Sequence, residues 1–514
     1  MLRALVKKQR QQSIERATLK HERLHWDKRI SKQGPWDEST DALPLTGAPA
    51  LPMPVEVSSK ESMAPFFAHL KNKGTHEPSS ATAQASYEVG IEPYYKTELI
   101  EFEKGVLYSD GRLDLCKMVA GPRNIGDLMA ALRYNEHSRH FLLGNNIIGS
   151  SGAKEIADFI EDLPHRIETW YLAGNCIDAD GFRLLVDAMV QSPPITNVWL
   201  KRNPLRQLAA KDVARLIIEC KQLRTLDLDQ TELGDAGVAE IFTALTYHGN
   251  PIALRHIYLN ACGIGAQACK AIAQYLKAPH CELQSLYLSN NPIGDIGSCA
   301  LAAGLQQNKS LLRLSLQSVG LKDEGAIRLM EFLSTHPTLM MLDIGQSYAT
   351  EDLGMRYNWI TDAAASSTVE LIKRSRLKHF SLSYTPMTQK TLHSILSAVA
   401  ESDRLVWFMV KPLVLQGGRD ASSIKIGQEY SRLYKLARQS LHENVTAQYN
   451  TTYPEFEGQL KRFLISPDDV RLIDSVYRNR DAGLARRGLK RLDKQWGPSN
   501  RTVLDKVVAG ENFD

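Results

Sequence analysis

The stretch "LYLSNNPIGDIGSCALAAGL", residues 286–305, changes its hydrophobic period partway along. Leu286 and Leu288 stand two apart, the spacing of a strand with one buried face. Asn290 and Asn291 follow, then Gly294, then an apolar run whose spacing is nearer the helical period. A strand, a turn and a helix fit in this one short stretch.

The same switch recurs along the chain. With Leu288 as reference, the equivalent residues are Leu115, Leu143, Leu172, Leu200, Leu228, Leu259, Leu288, Leu316, Ile344 and Leu382. The gaps between them are 28, 29, 28, 28, 31, 29, 28, 28 and 38 residues. Self-similarity at such a period marks a solenoid, in which each unit buries its apolar face only against its neighbours. The spacing predicts an α/β solenoid of about ten 28–29-residue strand–helix repeats over residues 113–405, with "RLVWFMV" at 404–410 as its exit. The short strands form a parallel sheet on the inner curve. Strands pack closer together than helices, so the stack bends into a horseshoe.

Each turn carries a polar or small residue three positions after the reference. Asn146, Asn175, Asn203 and Asn291 form an asparagine ladder, and Thr231, Cys262, Ser347 and Thr385 hold the place elsewhere. A buried amide there satisfies backbone groups left over where a strand ends. Asn290, one position earlier, is expected to be more exposed.

These residues point to a family. The pattern L-x-x-L-x-L-x-x-N-x-I-G-x-x-G is nearly complete in "LQSLYLSNNPIGDIG". It is recognisable in "RHFLLGNNIIGSSGA", "IETWYLAGNCIDADGF" and "LRTLDLDQTELGDAGV". With its 28–29-residue period, the chain resembles the ribonuclease-inhibitor type of leucine-rich repeat. The resemblance implies the horseshoe and says little about function, which such scaffolds carry in individual repeats.

Composition narrows the remaining choices. The 514 residues are 43% hydrophobic and 23% charged, with a formal net charge of +4. No stretch of 18 apolar residues suggests a membrane span, and the first thirty residues lack an apolar signal-peptide core. Seven cysteines, an odd count with no C-x-x-C, read as small buried residues of a reducing compartment. The expected location is cytoplasmic, with the nucleus and delivery into a host cell as an effector left open. No phosphate loop or H-E-x-x-H occurs, and "GSSGA" at 149–153 falls where a repeat turn belongs. His140, His256 and His379 are scattered ahead of strands. No catalytic residue, cofactor or metal site is expected, and the chain reads as a monomeric non-enzyme.

The ends differ from the middle. Residues 1–33 carry ten Lys/Arg against three Asp/Glu. Residues 34–86 are rich in Pro, Ser, Thr and Ala, so 1–86 reads as a disordered N-terminal arm: a basic segment and a flexible linker. Residues 87–410 form the repeat domain with its N-terminal cap. Residues 411–480 form a small helical cap or appended domain, with Ser466 and Pro467 as a helix start. Residues 481–514 are a basic tail. The basic ends read as solvated rather than as contacts for nucleic acid or anionic membrane.

The inner face is where a partner is expected. Between the two inward apolar positions of each strand lies one residue pointing the other way. That column reads Leu142, Tyr171, Trp199, Asp227, Tyr258, Tyr287, Ser315, Asp343, Ser381. The next column, from Gly144 and Ala173 to Gly345 and Ser383, is small or polar. Tyr and Trp give large contact area with little rotamer entropy and are over-represented at hot spots, though aromatics also suit strands in general. Tyr171, Trp199, Asp227, Tyr258 and Tyr287 are therefore candidate contacts for a protein or peptide. The 38-residue gap adds "YATEDLGMRYNWI", in which Arg356 and Trp359 are further candidates. Either this loop reaches a partner or its aromatics pack on the adjacent repeat. Activators of the Ran GTPase are similar in repeat type, which implies a small GTPase as an alternative partner. That family carries an acidic segment after the repeats, whereas here the C-terminal region is basic, and no stretch matches a catalytic-arginine loop.

Overall fold

Three apolar-centred residues per repeat suffice for a strand, because each strand is held by its two neighbours. The computed structural model describes residues 26–50, 57–78, 88–91, 97–413, 420–458 and 464. The chain divides into two compact units, one of Gln33–Asp474 and one of Met1–Lys32 with Ser475–Asp514. Of the second unit, only residues 26–32 are described, as part of a helix, Trp26–Gln33. Residues 1–25 and 481–514 of the basic segments lie outside the described residues.

The repeats build one fourteen-stranded sheet whose spatial order follows the sequence. Strands β1 (Glu88–Ile91), β2 (Glu98–Phe102) and β3 (Gly105–Tyr108) are antiparallel to one another, and β3 is antiparallel to β4 (Arg112–Asp114). From β4 onward every pairing is parallel. The strands are β5 (His140–Leu142), β6 (Thr169–Tyr171), β7 (Asn197–Trp199), β8 (Thr225–Asp227), β9 (His256–Tyr258), β10 (Ser285–Tyr287), β11 (Arg313–Ser315), β12 (Met341–Asp343), β13 (His379–Thr385) and β14 (Trp407–Pro412). A helix follows each of β4 to β13, for example Gly294–Leu305 after β10. Gly234 and Gly294 open their helices with φ of 72° and 58°, a left-handed backbone that glycine adopts without penalty.

All ten reference residues are buried, as are the strand centres Phe141, Trp170, Val198, Leu226, Ile257, Leu286, Leu314, Leu342 and Phe380. They and the inward helix faces make one continuous core. At the far end, helix Ala421–Tyr449 packs along helix Gln389–Ala400 and buries Leu433, Ala437, Leu441 and Val445. Helix Tyr453–Gly458 follows it.

The asparagine side chains stitch neighbouring turns. The Asn203 amide oxygen accepts from the backbone N–H groups of Asn175 and Ile177 at 3.0 Å each. Its amide nitrogen donates to the carbonyls of Leu172 and Leu200 at 2.9 and 2.8 Å. Asn291 makes all four corresponding bonds, and Asn146 and Asn175 each accept from one backbone N–H and donate to the reference carbonyl of the preceding repeat, Leu115 and Leu143.

The structure corrects three expectations. Ser347 does not hold the ladder place in its repeat. Asn358 does, from within the insertion, accepting from Val319 and Leu321 N–H and donating to the Leu316 and Ile344 carbonyls. The insertion therefore delays the ladder residue rather than following it. Asn290 is not exposed: it is buried, with its amide donating to Ser347 Oγ at 2.9 Å.

The described residues of the expected flexible linker are also placed. Helix Lys60–Lys71 buries Met63, Phe66, Phe67 and Leu70 beside helix Gly121–Leu132. Residues 33–50 form an extended strap across the repeat turns, running opposite to the repeat order. Gln33 binds Met355 O and Tyr357 N, and Trp36 lies against Gly294 and Gly320. The Leu45 carbonyl accepts from Asp235 N–H at 2.8 Å, and Ala48 N–H donates to Ala261 O at 3.1 Å. At Gly263 an added Cβ would lie 2.1 Å from Gly47 N, so backbone meets backbone there. A contact made by glycine and alanine leaves no hydrophobic signature in sequence, which is why composition alone read as a linker.

The inner face as candidate interface

Parallel register brings the inner column into one row. Tyr171 pairs with Trp199, Trp199 with Asp227, Asp227 with Tyr258 and Tyr258 with Tyr287. The Tyr171 and Trp199 rings meet edge to face at 4.4 Å, while Tyr258 and Tyr287 stack at 4.2 Å with planes 2° apart. Two aromatic pairs thus flank a single carboxylate, Asp227.

The expectation of an open aromatic surface fails in one respect. Tyr258 is 0% exposed, Trp199 6% and Tyr287 6%, so the row is buried as deeply as the core beneath it. Ring-on-ring contact accounts for part of this, since each pair covers its own faces. The chain also returns to this face. Arg313, at the start of β11, donates from Nε to the backbone carbonyl of Leu464 at 2.5 Å, 151 residues later in sequence. Lys378 Nζ lies 5.2 Å from the centre of the Tyr449 ring, at the end of the long C-terminal helix.

The column one step toward the strand starts holds His140, His256 and His379, which open β5, β9 and β13 instead of preceding those strands as the sequence pattern suggests. His140 Nδ1 meets Thr169 Oγ1 at 3.0 Å, and His256 Nδ1 meets Ser285 Oγ at 2.9 Å. Arg313 Nη1 donates to Ser285 Oγ at 3.2 Å. His379 stacks on Trp407 at 4.1 Å, and neither of its ring nitrogens has a hydrogen-bond partner among the described residues. Burial pulls its pKa down to about 3, so it is neutral. Asp343 is pushed the other way, to about 6, by burial, despite bonds from Gly345 N–H and the Gln317 side chain. The alternation of polar residues every second position was the available signal for this column.

Arg356 and Trp359 do not join the aromatic row. Arg356 forms an ion pair with Asp41 of the strap, and Trp359 N–H donates to Leu321 O at 2.7 Å. Met355, Tyr357 and Ile360 are buried, so this loop packs onto the turns.

Among the described residues, no group of three or more His, Cys, Asp or Glu could hold a metal ion, and no helix is long and apolar enough to cross a membrane. All seven cysteines are free thiols, and burial pushes Cys220 up to about 11 and Cys262 up to about 12.

A sequential parallel sheet backed by one helix per 28–29 residues, with buried asparagines in its turns, defines a leucine-rich-repeat solenoid. The chain is a leucine-rich-repeat protein of the ribonuclease-inhibitor type. The family model Leucine Rich Repeat matches residues 282–303. NACHT, LRR and PYD domains-containing protein 12 of Homo sapiens is 33% identical over 210 residues, covering 40% of this chain and 19% of that protein. Ribonuclease inhibitor of Sus scrofa is 26% identical over 261 residues, covering 45% of this chain and 56% of that protein. The Mus musculus ribonuclease inhibitor is 24% identical, covering 42% of this chain and 59% of that protein. The chain thus spans little more than half of the inhibitors and a fifth of the larger relative.

Proposed function

We propose that the protein is a non-enzymatic interaction scaffold that holds a protein or extended peptide on the inner face of its sheet. The observation that carries this reading is the in-register row of Tyr171, Trp199, Asp227, Tyr258 and Tyr287 on five adjacent strands. A rigid sheet loses little conformational freedom on binding, and aromatic anchors supply contact energy where they are already oriented. Asp227 between the two ring pairs supplies a directed acceptor, which favours a partner presenting a donor between apolar groups. The Ran-type alternative gains no support from the chain, in which no stretch matches a catalytic-arginine loop.

The test is affinity measurement on the full chain. Ribonuclease, suggested by the name of a matched relative, and a panel of small GTPases are the first purified probes, followed by partners captured from native lysate. For a partner of this face, Trp199→Ala with Tyr258→Ala should weaken binding by about 2 kcal/mol or more, the scale of hot-spot residues. Melting is measured on the same samples. Full-strength binding by a folded double variant would move the site elsewhere.

A further inference from the structure

The last strand of the sheet has an edge that no strand pairs with. β14 ends the strand order, so one of its sides has no strand beside it among the described residues. Successive peptide groups of an extended strand point to opposite edges. Trp407 N–H donates to Lys378 O at 3.1 Å and Leu413 N–H to Thr385 O at 2.9 Å, so residues 407, 409, 411 and 413 turn their main chain toward β13. Phe408, Val410 and Pro412 turn theirs outward. Pro412 has no N–H to offer, and proline within a sheet belongs at such an edge. Among the described residues nothing bonds to the outward N–H or carbonyl of Phe408 or Val410. Val410 is nevertheless buried, so its donor and acceptor must take partners from whatever enters the space beside them.

That space is a groove. A cavity of about 210 Å³ is lined on one side by Trp407, Phe408, Met409, Val410 and Lys411. One water needs only ~10–15 Å³, so this is more than a packing defect. Consecutive side chains of a strand point to opposite faces, so a space touched by five in a row runs along the strand's edge. The opposite wall is Tyr434, Ala437, Arg438 and Leu441, one stripe of helix Ala421–Tyr449 at the i, i+3, i+4, i+7 spacing. That helix is fixed beyond the strand, with Asn444 donating to the Ser402 and Leu405 carbonyls and Gln448 to those of Asp403 and Arg404. It stands beside the edge and leaves the outward groups of Phe408 and Val410 unbonded. A slot between an edge strand and a helix is a place where an extended peptide can add a strand, held by main-chain bonds and selected by alternate side chains.

Charge selects the peptide. Lys411 and Arg438 are exposed, one on each wall, and neither forms an ion pair among the described residues. Each lies over a tyrosine ring, Lys411 Nζ at 5.5 Å from the centre of Tyr384 and the Arg438 guanidinium carbon at 5.6 Å from that of Tyr453. Glu457 is the one acidic residue of the lining, so two cations outnumber it. We propose that the groove between β14 and helix Ala421–Tyr449 takes an extended segment of a partner protein as a fifteenth strand. An acidic side chain of that segment lies between Lys411 and Arg438, and aliphatic ones lie against Trp407, Met409 and Leu441. The site does not rest on the aromatic row, since β14 is four strands, ~19 Å, from Tyr287 on β10.

Panning a phage-displayed library of random heptapeptides on the full chain tests this. Wild type should enrich sequences that carry Asp or Glu between aliphatic residues. Val410→Pro removes an outward N–H and leaves the bonds to β13 in place, and the enriched peptides should bind it at least tenfold more weakly. Lys411→Glu/Arg438→Glu changes two exposed side chains and keeps the edge. It should lose the acidic peptides by at least tenfold and enrich lysine-bearing ones, and it decides the matter if circular dichroism shows that Val410→Pro does not fold. In the free chain the Phe408 and Val410 amides should exchange faster than the Met409 amide, and a bound peptide should slow them at least tenfold. Recovery only of peptides that bind wild type and both variants alike overturns the proposal and assigns them to another face. Slow exchange of both amides in the free chain overturns it too, because the edge would already be covered. Enrichment of peptides without acidic residues overturns the choice of partner.

Discussion

Turns built on asparagine and turns built on threonine or cysteine reach closure differently, and the strap, which seats Trp36 and Gln33 on the first kind, makes its backbone-to-backbone bonds at the second. Asn291 accepts from Cys262 and Ile264 N–H at 2.8 and 3.1 Å and donates to the Leu259 and Leu288 carbonyls. Thr231 offers one short bond, Oγ1 to Leu228 O at 2.7 Å, and the Cys262 thiol meets that same carbonyl at 3.0 Å. Around these two leaner turns the N-terminal strap adds contacts from outside: Leu45 O to Asp235 N–H, Ala48 N–H to Ala261 O, and Pro49 O to the Gln230 side chain. Where the ladder inside the solenoid is thin, a distant part of the chain braces it. Sequence repetition therefore does not imply that each repeat is held with equal strength.

The sharpest way to break this comparison is to remove one ladder member of each kind. Asn291→Leu strands two amides and two carbonyls in a buried turn and should cost about 3 kcal/mol of stability by urea unfolding, given ~1–3 kcal/mol for leaving a buried polar group unpaired. Thr231→Val loses a single donor and should cost about 1 kcal/mol on the same scale. Equal losses would mean that the two kinds of turn are held alike. A second, more local effect sharpens the contrast. Trp36→Ala should loosen the strap and lower the exchange protection of the Asp235 amide by about 2 kcal/mol, a sub-global opening. The Ile177 amide, bonded to Asn203, should be unmoved. Loss of protection at both amides would show one cooperative unit with no separate brace.

The smallest effect carries the comparison to the inner face. His379 is neutral in the fold, with its pKa near 3 against an ordinary value of 6.5. A depressed histidine contributes stability that is complete above about 6.5 and is lost as pH falls toward the folded pKa. At pH 5.5 the wild-type loss is about 1 kcal/mol. His379→Phe keeps the stacking on Trp407 and removes the proton site, so its melting temperature should fall less than that of wild type between pH 7.5 and 5.5. Asp343, raised to about 6, titrates in the opposite sense in both chains and cancels. Parallel declines in the two proteins would mean that His379 binds its proton equally when folded.

Much of the fold was legible because it repeats. The ten reference positions, read from a two-residue alternation, are all buried, and the asparagines three positions later make the bonds their chemistry allows. The site was legible only as a row. Register placed Tyr171 to Tyr287 together, but a strand pattern reports which way a side chain points and nothing of what lies over it. Asn358 escaped because the insertion displaced it from its expected offset. The strap escaped because, apart from isolated side chains such as Trp36 and Gln33, its contacts run through glycine, alanine and main chain, which carry no periodicity.

The strap also sets an order of events during synthesis. Its seat spans turns from Asp235 to Tyr357, so residues 33–50 leave the ribosome about two to three hundred residues before their seat is complete. At ~5–20 residues per second this is a wait of tens of seconds. Through that interval the segment must stay extended and unpaired, a task to which its short, proline-spaced, weakly apolar sequence is suited. Its docking then joins a segment made before the repeats with one of the last of them, so full closure of the turn edge would mark a nascent chain that has been translated through nearly all of its repeats.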